Sequence, residues 1–234
     1  MRVRAGTSGY SYPAWKGGFY PEDLPAARML AHYAGRLPTV EINNTFYRMP
    51  DRSMLRRWVD ETPSGFSFAI KSPRRITHEK RLLEGGDSVA RLFDVTSELG
   101  DRLGPVLFQL PPNLKKDVPR LAAFLALLPR SARSAFEFRH ASWFDEDVYD
   151  ALRVGGAALC IADAEGLTTP LVPTASWGYL RLRRQDYTAA DVQAWADRIL
   201  AQPWDDVLVY FKHEDEGLGP KLAAALAAVC QTGC

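Results

Sequence analysis

Glu41, Lys71 and Glu137 are the side chains in this chain best suited to acid–base chemistry, and each stands late in a short apolar run. Glu41 lies in Thr39-Val-Glu-Ile-Asn43, Lys71 closes Phe68-Ala-Ile-Lys71, and Glu137 sits in Ala135-Phe-Glu-Phe-Arg139. The same handover from apolar to polar recurs at Gln109, at Asp163, at Arg181 and Arg183, and at Lys212-His213. Buried charge is costly unless it is paired or used. Polar residues repeated at one end of many strands therefore predict a shared site. A Lys–Glu pair there can supply general acid/base catalysis. A desolvated Lys can instead form a Schiff base with a carbonyl substrate. Opposite charges hold carboxylates ionised and Lys protonated unless burial outweighs them. The competing expectation is a structural ion-pair lattice, since such networks perturb titration in the same way.

The elements that must position these groups alternate along the chain. Apolar runs predict strands over 2–6, 39–42, 66–70, 105–110, 134–138, 157–162, 177–182 and 207–211. Helical periodicity falls between most of them, over 25–36, 51–59, 87–99, 118–128, 146–153, 188–200 and 221–229. Strand–helix alternation repeated about eight times predicts an α/β fold, a single (β/α)₈ TIM-like barrel over residues 1–234. The irregular part lies between 157–162 and 177–182, where no helical pattern appears. Side chains alternate along a strand, so Glu41 shares a face with Thr39 and Asn43, and Glu137 with Ala135 and Arg139. Arg181 and Arg183 share a face with Tyr179. With the apolar faces against the helices, these mixed faces line the barrel, and active sites in this architecture sit at the C-terminal end.

Composition narrows the partners. The 234 residues are 47% hydrophobic and 24% charged with a formal net charge of +1, so no global field recruits nucleic acid or an acidic membrane. Cys160, Cys230 and Cys234 lack C-x-x-C spacing, which argues against a disulfide framework or a structural zinc site. Met1-Arg-Val-Arg leads directly into structure without a signal-peptide pattern, and no apolar stretch approaches ~18 residues. A cytoplasmic protein without a membrane span is expected.

Glu41, Lys71, Glu137, Arg139, Asp163 and Arg181 are expected to converge on the barrel mouth, with Asn43 and Gln109 orienting a ligand and Tyr10 and Trp143 forming walls. A second grouping joins Arg181, Arg183 and Arg184 to Gly217-Leu-Gly219-Pro220 before the last helix. Loops after the last two strands and a helix N-terminus often bind phosphate in such barrels, although Glu214-Asp215-Glu216 adds negative charge beside it. A divalent metal is a third expectation, with Glu41, Glu137, Asp163, His140, His213 and Glu214 as mixed N/O ligands and no diagnostic spacing. Finally, Arg48, Arg52, Arg56, Arg57, Lys71, Arg74, Arg75, Lys80 and Arg81 lie near Tyr10, Tyr12, Trp15, Phe46 and Tyr47. Basic residues among aromatics can track a phosphate backbone and stack bases.

Several segments resemble one family. Gly6-Thr-Ser-Gly-Tyr10 with Trp15 and Phe19-Tyr-Pro21, then Val40-Glu-Ile-Asn-Asn-Thr-Phe-Tyr47, are similar to the DUF72 (YecE-like) proteins. So are Phe68-Ala-Ile-Lys-Ser-Pro73 with Ile76-Thr-His78, Val106-Leu-Phe-Gln-Leu-Pro-Pro112, Phe136-Glu-Phe-Arg-His140 with Ser142-Trp143, and Tyr179-Leu-Arg-Leu182. The resemblance spans nearly the whole chain and implies a TIM-like barrel with no settled activity. The family tends to carry Asn after Tyr-Phe at the last strand, where this chain has Lys212-His213. The leading expectation is an enzyme or enzyme-derived binder of an anionic, phosphorylated or sugar-like small molecule, with hydrolase or isomerase/lyase chemistry. The alternatives are a nucleic-acid-binding barrel acting as a metal-dependent nuclease, and a non-catalytic interaction protein.

Overall fold

Among the described residues nine strands and seven α-helices follow one another, and eight of the strands and the seven helices come in the order that the sequence patterns predict. The computed structural model describes residues 1–83 and 85–232, so Cys234 lies outside the described residues. The strands are β1 (Arg2–Ser8), β2 (Thr39–Ile42), β3 (Ser67–Lys71), β4 (Leu103–Gln109), β5 (Ser134–Glu137), β6 (Ala158–Ala164), β7 (Leu167–Thr168), β8 (Trp177–Leu182) and β9 (Asp206–Phe211). The helices are α1 (Met29–Ala34), α2 (Arg52–Asp60), α3 (Gly86–Thr96), α4 (Val118–Leu125), α5 (Glu146–Gly155), α6 (Ala189–Leu200) and α7 (Leu218–Thr232). Eight strands run parallel in the order β5-β4-β3-β2-β1-β9-β8-β6, and pairing of β5 with β6 closes the barrel. Strand β7 is the exception: it folds back antiparallel on β6 across the turn Glu165-Gly166, where Gly166 has φ 79°.

Local chemistry accounts for the boundaries. The Asp51 side chain accepts the Met54 N–H and starts α2, and Thr188 with Asp191 forms a reciprocal capping box on α6. Gly156, in the left-handed region at φ 66°, terminates α5. Helix α7 starts three residues earlier than the apolar pattern predicts. No helix crosses from β7 to β8, as expected, because Pro170 and Pro173 interrupt that connection. Short helical turns at Pro13–Trp15, Asn44–Phe46, Arg75–Glu79 and Ala141–Trp143 carry no periodic signal and were not expected.

Two apolar layers follow from the alternation. Val40, Ile42, Phe68, Ile70, Phe136, Leu180, Val209 and Phe211 pack outward against Leu55, Trp58, Phe124, Leu152, Trp195 and Ile199 of the surrounding helices. Ala69, Leu107, Ala135, Ala158, Cys160, Tyr179, Leu208 and Tyr210 fill the interior. Alanines from β3, β5 and β6 leave the barrel centre wide. That width makes room above them for one long charged side chain.

Candidate active site at the barrel mouth

Arg181 occupies that room. Strand register sets Ser8 beside Glu41, Gln109 beside Glu137, and Arg181 between Ala162 and Tyr210, so the polar side chains meet at one level. Arg181 Nε and Nη2 donate to one oxygen of Glu41 at 3.2 and 2.9 Å, and Nη1 donates to Glu137 at 2.5 Å. The Ser8 hydroxyl donates to the same Glu41 oxygen, and Tyr179 OH donates to the other at 2.6 Å. Glu137 accepts Gln109 Nε2 at 2.8 Å and Arg139 Nε at 2.6 Å. Asn43 Nδ2 donates to Ser8 Oγ at 2.6 Å. Glu41 and Glu137 are fully buried, so each charge is matched by donors that a solvent-exposed carboxylate would not need.

The electrostatics follow from this packing. Burial alone would push both carboxyl groups up. For Glu41, Arg181 together with the Ser8 and Tyr179 hydroxyls outweighs burial and holds it below the ordinary carboxylate range. For Glu137, Arg181 and Arg139 do the same and bring it to about 2. Burial would lower Arg181, but Glu137 and Glu41 hold it well above the usual guanidinium value. Neither carboxylate therefore has a proton to give near neutrality, and both are sealed by donors. This geometry suits them to fixing Arg181 more than to the acid/base exchange expected of them.

Above this layer the charges no longer cancel. Glu41 and Glu137 balance Arg181 and Arg139. Lys71 and Arg183 stand outside that balance, and among the described residues neither forms an ion pair. The Lys71 ammonium lies over the Phe46 ring, 4.2 Å from its centroid. Burial and then Arg181 lower it to about 8. Arg183 Nε is buried without a hydrogen-bond acceptor, and burial followed by Arg181 lowers its guanidinium from the ordinary value. Beside the mouth, a cleft of about 180 Å³ is walled by Tyr10, Tyr12, Asn43, Asn44 and Trp58.

Of the expected site residues, Glu41, Lys71, Glu137, Gln109, Arg139 and Arg181 come together, and Tyr10 and Asn43 flank them in the cleft. Asp163 does not join them. It has the parity of Leu159 and Ile161, faces the helices, and accepts Tyr187 OH at 2.8 Å and Trp195 Nε1 at 3.3 Å. Trp143 is no wall: it is fully buried, stacked on Phe138 with centroids 4.6 Å apart, and its Nε1 donates to the Leu114 carbonyl at 2.7 Å. The mixed metal-ligand set is not assembled either. His140 bonds Ser142, His213 Nε2 bonds the Arg184 carbonyl, and no group of three His, Cys, Asp or Glu suited to a metal occurs among the described residues.

The expected phosphate grouping also divides. Arg184 turns to Asp191 and Tyr187, and Gly219 packs so closely on the His213 carbonyl that a Cβ there would approach to 3.0 Å. The basic cluster is neutralised in part, with Arg52 and Arg56 paired to Asp94 and Glu98, Arg57 to Glu61, and Arg74 to Glu79. Trp15 and Tyr20 are buried in an aromatic plug that also holds Tyr12 and Phe19. Ser8 is not among the expected residues, Tyr179 is expected on the inward face without a partner, and Phe46 is expected among the aromatics of the basic cluster and not against Lys71. Ser8 shares the inward parity of Gly6, so alternation would have found it. Phe46 belongs to a one-turn helix that sequence periodicity does not reveal.

Comparison with other proteins places this arrangement. The chain matches the profile of the protein family of unknown function DUF72 over residues 4–233. It is 33% identical to the UPF0759 protein YecE of Escherichia coli over 116 residues, which is 49% of this chain and 43% of that protein's length. It is 26% identical to the UPF0759 protein YunF of Bacillus subtilis over 216 residues, covering 85% of this chain and 75% of the relative. The crystal structure of a DUF72 family protein from Thermotoga maritima superposes with a TM-score of 0.83 at 25% identity, covering 100% of this chain and 99% of that one. No helix among the described residues is long and apolar enough to cross a membrane. With eight parallel strands closed into a TIM-like barrel and a match along nearly its whole length, the chain belongs to the DUF72 family and is similar to the UPF0759 proteins YecE and YunF.

Proposed function

We propose that the barrel mouth binds a small phosphate-bearing or similarly anionic molecule, as an enzyme or an enzyme-derived binder. The observation that carries this is the pair of mouth cations, Lys71 and Arg183, left without an acidic partner above a lattice that is already neutral. A half-buried cation without a counter-charge is unfavourable. An anionic ligand supplies that counter-charge, and a guanidinium fork suits phosphate oxygens. In this arrangement Lys71, Arg139 and Arg183 hold the anion, Asn43 and Tyr10 orient the rest of the molecule from the cleft, and Glu41 and Glu137 keep Arg181 rigid below.

Calorimetric titration with inorganic phosphate and with glycerol phosphate tests the proposal, with glycerol as the uncharged control. Binding of both anions but not glycerol is expected, weakened at least ~10-fold by Arg183→Met or Lys71→Met, equivalent to ~1.4 kcal/mol. Equal binding by the wild type and both variants, or none by the wild type, would count against it. One observation favours nucleic acid as a second reading. Tyr47 is 76% exposed on a cleft of about 530 Å³ that also carries Arg75 and Arg91. An exposed aromatic beside two arginines can stack a base. Salt-sensitive binding of a short single-stranded oligonucleotide, lost in Tyr47→Ala, would support it.

A further inference from the structure

Among the described residues two strands end in or run directly into a lysine at the mouth, and the surroundings of the two differ. Lys212 follows β9 on the inward parity of Leu208 and Tyr210, and its ammonium faces Glu214 at 3.7 Å. Lys71 ends β3 on the inward parity of Ala69. One side of its amine is covered by the Phe46 ring, and that ring meets His78 edge-on at 4.9 Å. The charged groups acting on Lys71 are Arg181 and Arg183 of the β8 segment, Glu41 of β2 and Glu137 of β5, and both carboxylates are committed to Arg181. An amine that is shielded from water on one face, crowded by guanidiniums and free of an acidic partner is the environment that makes lysine a nucleophile.

We propose that Lys71 forms an imine with the carbonyl carbon of a phosphorylated aldehyde or ketone whose phosphate is held by Arg183 and Arg139. This deepens the anion-binding proposal and rests on it. In the step, the lone pair of the neutral amine attacks the carbonyl carbon, and the C=O π pair moves to oxygen, which takes up a proton. The nitrogen loses one proton to give the carbinolamine; its lone pair then expels the hydroxyl, which takes up a second proton and leaves as water, and loss of the second N–H proton leaves a C=N bond in place of the C=O bond. One amine and one carbonyl give one imine and one water, with no oxidant or reductant. Burial and Arg181 bring the amine to about 8, so a useful share of it is unprotonated near neutral pH. His78, which meets the far side of this contact through the Phe46 ring, has its imidazole lowered by burial and then by Lys71.

Reductive trapping tests this. The whole protein is incubated with glyceraldehyde 3-phosphate and sodium cyanoborohydride, which delivers hydride to the imine carbon and leaves a stable secondary amine. Peptide mass mapping then locates the adduct among Lys16, Lys71, Lys80, Lys115, Lys116, Lys212 and Lys221. Labelling of Lys71 at least ~10-fold faster than of any other lysine is expected. It should be suppressed by inorganic phosphate, slowed in Arg183→Met, and absent in Lys71→Arg, which keeps the charge and the ring contact. Labelling spread over surface lysines without preference for Lys71 would overturn the inference. So would equal labelling of Lys71 by uncharged glyceraldehyde. Calorimetric phosphate binding, measured in parallel, separates the two proposals: binding without a Lys71 adduct overturns the imine and leaves the anion site standing.

Discussion

The two ends of the barrel both carry arginine–carboxylate clusters, but they close their charge differently. At the N-terminal end, Asp206 accepts Arg4 Nη2 at 2.5 Å and Nε at 3.2 Å and also pairs with Arg133. The surplus positive charge there reaches water: the Arg133 side chain is 42% exposed and lies over the Trp177 ring at 5.3 Å. At the C-terminal end, Arg181 is shut between two carboxylates, and the surplus sits above them on Lys71 and Arg183, half-buried. Solvated surplus charge at one end reads as a structural clamp. Desolvated surplus charge at the other, on the side where such barrels place their chemistry, is what the proposed anion site rests on.

Breaking the upper cluster should have the largest effect. Arg181→Met leaves Glu41 buried without a counter-charge and Glu137 with Arg139 alone, and urea unfolding is expected to show a loss of ~3–5 kcal/mol. Part of that loss should return on mild acidification, as the stranded carboxylates protonate. The lower cluster is more exposed. Asp206→Asn is expected to cost ~1–3 kcal/mol in the same assay, with phosphate affinity unchanged because the substitution lies at the far end of the barrel. If Asp206→Asn weakened phosphate as much as Arg183→Met, the division of labour between the ends would fail.

Acid sharpens the contrast. Glu137 titrates at about 2 in the folded protein against an ordinary 4.5. A carboxylate depressed in this way contributes stability that is complete above its unfolded value and is lost as pH falls from about 4.5 toward 2. Thermal unfolding followed across that window should show a steep loss, and Glu137→Gln should flatten it. An unchanged slope in Glu137→Gln would mean that the acid sensitivity arises elsewhere, with Asp206 the next group to examine, since its carboxyl is also held low: Arg4 and Arg133 outweigh its burial.

How much of this was legible in the sequence depends on which physical rule each residue obeys. Glu41, Lys71, Glu137 and Arg181 follow strand alternation, so their inward placement and common level could be read directly. The helix missing before β8 was legible because no helical periodicity appears there, and Pro170 and Pro173 are consistent with that. Asp163 was misplaced because its position at a strand end was weighed and its parity was not; Leu159 and Ile161 already pointed it outward. Trp143 follows a mouth residue closely in sequence, yet the turn at Ala141–Trp143 drives it into the outer core. The Phe46 contact with Lys71 joins a one-turn helix to a strand end, and no periodicity encodes that encounter. Charge balance was the least legible feature, because it depends on which acids pair with which bases in three dimensions.

The most direct test is the melting temperature of Arg183→Met, with and without inorganic phosphate. The methionine keeps most of the apolar stem and removes the guanidinium with its charge and N–H donors. Because that charge is uncompensated and crowded by other cations, the variant should melt within the equivalent of ~0.5 kcal/mol of the wild type in phosphate-free buffer, or above it. Phosphate should then raise the melting temperature of the wild type and not of the variant. A variant clearly destabilised without phosphate, yet still stabilised by it as the wild type is, would make Arg183 part of a structural lattice and contradict the account.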